Sequence, residues 1–174
     1  MNGLPHSQFT IRNSLFINLI NMDTFKDKTQ DFLAQKRIAV AGVSRKSEQT
    51  ANAIYRALRD RGYEVFAVNP HTDTAEGDVC YANMQAIPSG VDGAMIVTKP
   101  ALTEQIVQDC AAAGVPRVWM HNNTFMPSSV SETAVQYCRD HNITIIDGGC
   151  PMMFLDFGHK CMRWMLGVMG RLPK

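Results

Sequence analysis

Five short apolar runs, at residues 38–41, 65–68, 94–97, 118–120 and 143–146, constrain this chain more than any other feature. Four contain no polar residue and the fifth contains only Thr144. A strand with one wet face alternates apolar and polar residues. A continuous run suits a strand covered on both faces, as in a parallel sheet flanked by helices. Helix patterns lie between the runs. Residues 50–61 place Ala51, Ile54, Tyr55 and Leu58 on one face and close at Gly62. Residues 102–113 close at Gly114, and residues 129–141 turn Val130, Ala134, Val135 and Cys138 inward. Ahead of the first run, Asp23 or Thr24 can cap a helix carrying Phe25, Phe32 and Leu33. Behind the last, residues 157–169 read as a terminal helix with Cys161, Met165 and Met169 packed.

Strands and helices alternating through short connections predict an α/β fold: one Rossmann-like domain with a doubly wound parallel sheet. Right-handed crossovers then put helices on both faces. With Val79 and Cys80 counted as a short edge strand, the expected order is 3-2-1-4-5-6. Residues 1–21 hold no acid and one Arg, Arg12, and are expected to be a disordered extension. The 22–35 segment is expected to be an N-terminal helix and the 152–174 segment a C-terminal helix.

The 174 residues are one domain's length, and 45% apolar against 19% charged residues argues against wholesale disorder. Seventeen Lys and Arg against sixteen Asp and Glu leave a net charge of +1. No basic field is present to hold nucleic acid. The longest membrane candidate, residues 15–22, is too short and carries Asn18 and Asn21. The five cysteines, Cys80, Cys110, Cys138, Cys150 and Cys161, are odd in number and form no C-x-x-C pair, and no signal-peptide pattern precedes them. Reduced thiols and a cytoplasmic location are the expectation.

In a doubly wound sheet, ligands bind beyond the carboxyl ends of the strands, where strand order reverses. The loop after the first run, Gly42 to Ser47, has a glycine for a tight turn, hydroxyls at Ser44, Ser47 and Thr50, and positive charge at Arg45 and Lys46. It reads either as a phosphate cradle at a helix N-terminus or as a plain turn capped by Ser47 or Thr50. The full G-x-G-x-x-G pattern of an ordinary dinucleotide dehydrogenase is missing. The second run ends in Asn69, Pro70 and His71 rather than in the carboxylate that an NAD ribose wants. That leans toward a nucleotide with a phosphorylated ribose, NADP or coenzyme A, unless Asn69 and Pro70 only stop the strand. Thr98, Lys99 and Pro100 lie across the switch point. Pro100 preorganises a first helical turn, and Lys99 is either a phosphate partner or a solvated lysine.

Taken in order, residues 40–45 (VAGVSR), 62–70 (GYEVFAVNP), 98–100 (TKP) and 118–120 (VWM) resemble the small bacterial CoA-binding proteins. Their domain is similar to the N-terminal domain of the succinyl-CoA synthetase alpha subunit. The resemblance implies a CoA-binding Rossmann-like domain over residues 36–151. It implies Ser44, Arg45, Lys46 and Ser47 on the CoA phosphates, and Asn69, Pro70 and Thr72 at the adenosine end. It further implies Thr98, Lys99 and Pro100 beside the nucleotide, Asn122, Asn123 and Thr124 near the pantetheine arm, and Cys150 and Pro151 beyond. The synthetase loop has an extra glycine where Arg45 stands, and Gly149 replaces the Asn of its Asn-Cys-Pro. Its second domain, with a phosphorylated histidine, has no counterpart in this sequence. The expectation is therefore a carrier, sensor or regulatory module for CoA or an acyl-CoA, without a complete catalytic apparatus.

Two alternatives use the same face. His121 and Cys150 would serve an NADP- or CoA-using enzyme as acid/base and nucleophile if they meet. Cys150 would also suit a mixed disulfide with CoA if its pKa were lowered, and otherwise reads as an inert buried thiol. His121, Cys150, His159 and Cys161 would suit a zinc-binding interaction module. However, C-x8-H-x-C is not a standard ligand spacing, and two residues apart on a helix is about 200°. The Met-rich end, with Trp164 and Leu166, suits core packing or a homodimer interface.

Overall fold

The computed structural model describes residues 25–122 and 128–155. The elements run α1 (Phe25–Leu33), β1 (Arg37–Ala41), α2 (Thr50–Arg59), β2 (Glu64–Val68), β3 (Thr74–Ala75) and β4 (Asp78–Tyr81). A 3₁₀ turn (Met84–Ala86) follows, then β5 (Gly93–Ile96), α3 (Pro100–Ala112), β6 (Arg117–Met120), α4 (Glu132–Asp140), β7 (Thr144–Ile146) and α5 (Met152–Leu155). Every apolar run is a strand or lies within a residue of one, because each is buried from both sides. Ile38, Val40, Met95, Trp119 and Ile146 face α1, α2 and α5, and Ala39, Ala41, Ala94, Ile96, Val118, Met120 and Ile145 face α3 and α4.

The sheet has seven strands in the order β3-β4-β2-β1-β5-β6-β7. All pairings are parallel except β3 with β4. This corrects the expected six-stranded order. Val79 and Cys80 do form a strand beside β2, but they are not the edge. Two-residue β3 pairs outside them, through a turn at Glu76 and Gly77 where both residues have positive φ. A two-residue strand has no periodicity to read, so the hairpin left no pattern in the sequence.

Helix ends also shift. The N-cap of α2 is Gln49, which makes no side-chain cap bond, rather than Ser47 or Thr50. α3 begins at Pro100 and α4 at Glu132, where Ser131 caps by accepting from the Ala134 N–H. α1 belongs to the same core. Phe32 is 1% exposed and stands edge-on to Trp119 at 5.4 Å. Asp31 pairs with Arg117 on β6. The expected extension 1–21, the cap at Asp23 or Thr24 and the terminal helix 157–169 lie outside the described residues. Among the described residues, no helix is long and apolar enough to cross a membrane.

Candidate functional site

Strand register builds the site. Ala41 pairs with Val68 on one side and Ile96 on the other, Ile96 pairs with Met120, and Val68 with Tyr81. The residues one step on, Gly42, Asn69, Val97 and His121, therefore leave the sheet side by side. Their N–H groups extend the ladders: Gly42 to Val68, Asn69 to Tyr81, Val97 to Ala41 and His121 to Ile96, at 2.9–3.0 Å. Above this row lies a cleft of about 560 Å³.

Gly42 forms the cleft floor beside β5. Its φ is +102°, and a Cβ there would lie 2.3 Å from the Val97 carbonyl oxygen. No other residue fits that approach. The loop beyond it is fastened from two sides. Asn69 donates from its side-chain amide to the Val43 carbonyl at 2.8 Å. Asn52, fully buried on α2, accepts from the Ser44 N–H at 3.1 Å and donates to the Ser44 carbonyl at 2.7 Å. Asn52 also donates to Glu76 at 2.7 Å, and Glu76 pairs with Arg56 at 2.8 Å. Those hydrogen bonds, first from Asn52 and then from Arg56, hold the Glu76 carboxyl below the usual carboxylate range.

The two helices opening onto the cleft differ. At α3, Lys99 O accepts from both Leu102 and Thr103 N–H, so that end is largely satisfied by its own backbone. At α2, the first intrahelical bond is Ala53 to Gln49. The amides of Thr50, Ala51 and Asn52 thus have no partner from the helix, and no acid sits in that first turn. Three free amides at the positive end of a helix dipole suit an anion. Arg45 and Lys46 stand exposed beside them, with no side-chain partner among the described residues.

Of the residues singled out from the sequence, the cleft brings together Gly42, Asn69, Pro70, Thr98 and Lys99, along with His121. Ser44, Arg45, Lys46 and Ser47 lie on the adjoining loop. Thr72 spends its hydroxyl on the Thr74 carbonyl at 2.8 Å. Pro100 is exposed at the start of α3, and Asn122 is exposed with its N–H on the Gly149 carbonyl. Cys150 and Pro151 are buried and do not line the cleft. Burial pushes the Cys150 thiol up, against the lowered pKa that a nucleophile or a mixed disulfide needs. Asn123, Thr124, His159 and Cys161 lie outside the described residues. Among the described residues, no group of three or more His, Cys, Asp or Glu is placed to hold a metal ion.

Sequence reasoning missed the far wall. Leu102, Gln105, Ile106 and Asp109 line the cleft from one face of α3, opposite Ala82, Asn83 and Met84. Their i, i+3, i+4, i+7 spacing was visible, but a mixed polar and apolar stripe gives no amphipathic signal. It also missed Asn52, Arg56 and Glu76. An Asn on the apolar face of α2, four residues before Arg56, was the available clue.

A family model described as CoA binding domain matches residues 36–156. The YneT protein of Bacillus subtilis is 26% identical over 115 residues, 66% of this chain and 82% of that protein. Acetate–CoA ligase (ADP-forming) I of Archaeoglobus fulgidus is 35% identical over 80 residues, which span 46% of this chain but only 12% of the ligase. Among solved structures, a hypothetical protein from Pyrococcus horikoshii OT3 superposes with a TM-score of 0.67 at 28% identity. That match covers 76% of this chain and 92% of the other.

Proposed function

Since the chain belongs to the CoA-binding domain family, we propose that the cleft over Gly42 binds coenzyme A or an acyl-CoA. The role proposed is that of a carrier, sensor or regulatory module rather than a self-sufficient enzyme. The observation that carries this reading is the first turn of α2. Three amides free of helix partners, no acid within the first turn itself, and two cations without a side-chain partner among the described residues beside them are the donor set a pyrophosphate needs. The nearest acids are exposed Glu48, just ahead of the cap, and Glu76, which is paired with Asn52 and Arg56. Thr50, Ala51 and Asn52 would hold it through their N–H groups, with Arg45 and Lys46 adding charge. The end of β2 supports a phosphorylated ribose over a plain one, since Asn69, Pro70 and His71 present no carboxylate to repel it.

The sheet and the Asn52–Glu76–Arg56 network keep this loop in place before a ligand arrives, which lowers the ordering cost of binding. Coenzyme A itself would supply only a thiol for acyl groups. Each of the named residues binds or orients.

A thermal-shift panel of CoA, acetyl-CoA, NADP and NAD tests the reading. A ligand at 100 times its Kd stabilises by about 2.7 kcal/mol. CoA or its acyl form is expected to raise the Tm. A rise with NAD alone would overturn the proposal. Arg45→Glu is expected to weaken CoA by about 2 kcal/mol, through a lost charge-assisted bond and repulsion, while the exposed site leaves the free protein's Tm within a degree or so.

A further inference from the structure

Among the described buried side-chain nitrogen and oxygen atoms, one has no hydrogen-bond partner: Nε2 of His121. Native proteins pair such atoms as a rule, so an exception asks for a reason. His121 is 1% exposed and forms part of the cleft wall. The backbone carrying it is held firmly. Its N–H donates to Ile96 at 2.9 Å and its carbonyl accepts from Ser129 N–H at 2.8 Å. The Ser129 carbonyl in turn accepts from the buried Thr103 hydroxyl at 2.8 Å. The ring is thus delivered to the wall by the strand ladder on one side and the α3 N-terminus on the other.

Burial alone lowers the His121 pKa, and no charged group acts on the ring strongly enough to oppose it. The imidazole is therefore neutral near pH 7. An anion buried against it would meet an uncharged ring, and the one Lys or Arg lining the cleft, Lys99, is solvent-exposed at the cap of α3. The anion-suited groups stand at the first turn of α2 instead.

Resting on the reading that the cleft takes CoA or an acyl-CoA, we infer that His121 Nε2 recognises a neutral polar group of that ligand, an amide or thioester of its arm rather than a phosphate. The ligand completes a hydrogen bond that the free protein leaves open. The residue thus acts on ligand choice at a stability cost to the unliganded fold, the usual trade at binding sites.

Isothermal titration of the full chain with CoA and with acetyl-CoA, for wild type, His121→Leu and His121→Gln, tests this together with ¹⁵N NMR of the His121 ring. His121→Leu is expected to bind about tenfold more weakly, the worth of one hydrogen bond, without a lower Tm of the free protein. Gln, which keeps a polar atom at similar reach, is expected to recover most of the affinity. The ring nitrogen signals are expected to move on ligand addition while the ring stays neutral at pH 7 to 8. The other titratable groups lining the cleft are His71, Lys99 and Asp109. Wild-type affinity in His121→Leu, with ring signals unmoved by ligand, overturns the inference and leaves the CoA reading standing. A ring that gains a proton on binding means an anion faces it and overturns the neutral partner. Should His121→Leu fail to fold, the ring titration and the Gln variant decide. Binding of neither compound by wild type overturns the CoA reading and this inference with it.

Discussion

At Gly42 a single hydrogen atom in place of a methyl decides whether two strands can carry a site between them. A Cβ would lie 2.3 Å from a backbone oxygen, at a φ of +102°. The obstacle is main chain, so no side chain can yield. Gly42→Ala is expected to cost about 3 kcal/mol, read from urea denaturation, and to abolish CoA binding. An unchanged denaturation midpoint would refute the geometry. The cysteines make a second residue-scale case. Burial raises Cys80, Cys110 and Cys150, and pushes Cys138 up to about 12. Peptide-resolved alkylation of the native protein at pH 8 is expected to leave Cys110, Cys138 and Cys150 unmodified, and to label them only in denaturant. Rapid native labelling of Cys150 would restore it as a candidate nucleophile. The sequence could name these cysteines but not their depth, because burial depends on residues far away in the chain.

The α2 N-terminus and the β3–β4 hairpin act as a pair. One presents free amides, and the other, through Glu76, holds Asn52 and Arg56 behind the loop that frames them. A carboxyl depressed in the folded state adds stability above its unfolded pKa, and that stability is lost as pH falls through its folded pKa. Glu76 is such a group. The Tm gap between wild type and Glu76→Gln is therefore expected to be widest near pH 7 and to close below about pH 4. A gap of equal size at pH 7 and pH 3 would show that the charge plays no part. The strands of the sheet were legible because their runs are long enough to have a pattern. β3 was not, and with it went the whole network. The helix starts were legible to within a few residues, yet the cap of α2 was misplaced. Ser47 and Thr50 both offered a capping hydroxyl, while the chain caps with Gln49 and leaves the first turn open.

Across the whole molecule, the cleft is a consequence of register. Four loops distant in sequence leave the sheet in one row because their strands end together. α1, which lies ahead of the first strand, guards that arrangement from behind. Phe32 fills the space over Gly93, where a Cβ would come within 2.8 Å of its ring, and meets Trp119 edge-on. Phe32→Ala is expected to destabilise the fold by about 3–5 kcal/mol and to shift the Trp119 emission to the red, measured together in one fluorescence-monitored unfolding curve. Loss of less than 1 kcal/mol would mean that α1 is an appendage rather than part of the core.

The sequence by itself determined that this chain is an α/β sheet buried on both faces, and which loops gather at its carboxyl edge. Both follow from local patterns of apolarity, which a linear reading contains. It also carried enough ordered motif to point to the CoA-binding family. Only the tertiary structure decided which side chains line the cleft, which are spent on fastening loops, and which buried atom is left waiting. The reason is physical. Asn52 and Asn69 are as polar as any ligand contact, and the partners that occupy them, at Ser44, Glu76 and Val43, are brought to them only when the sheet closes its register.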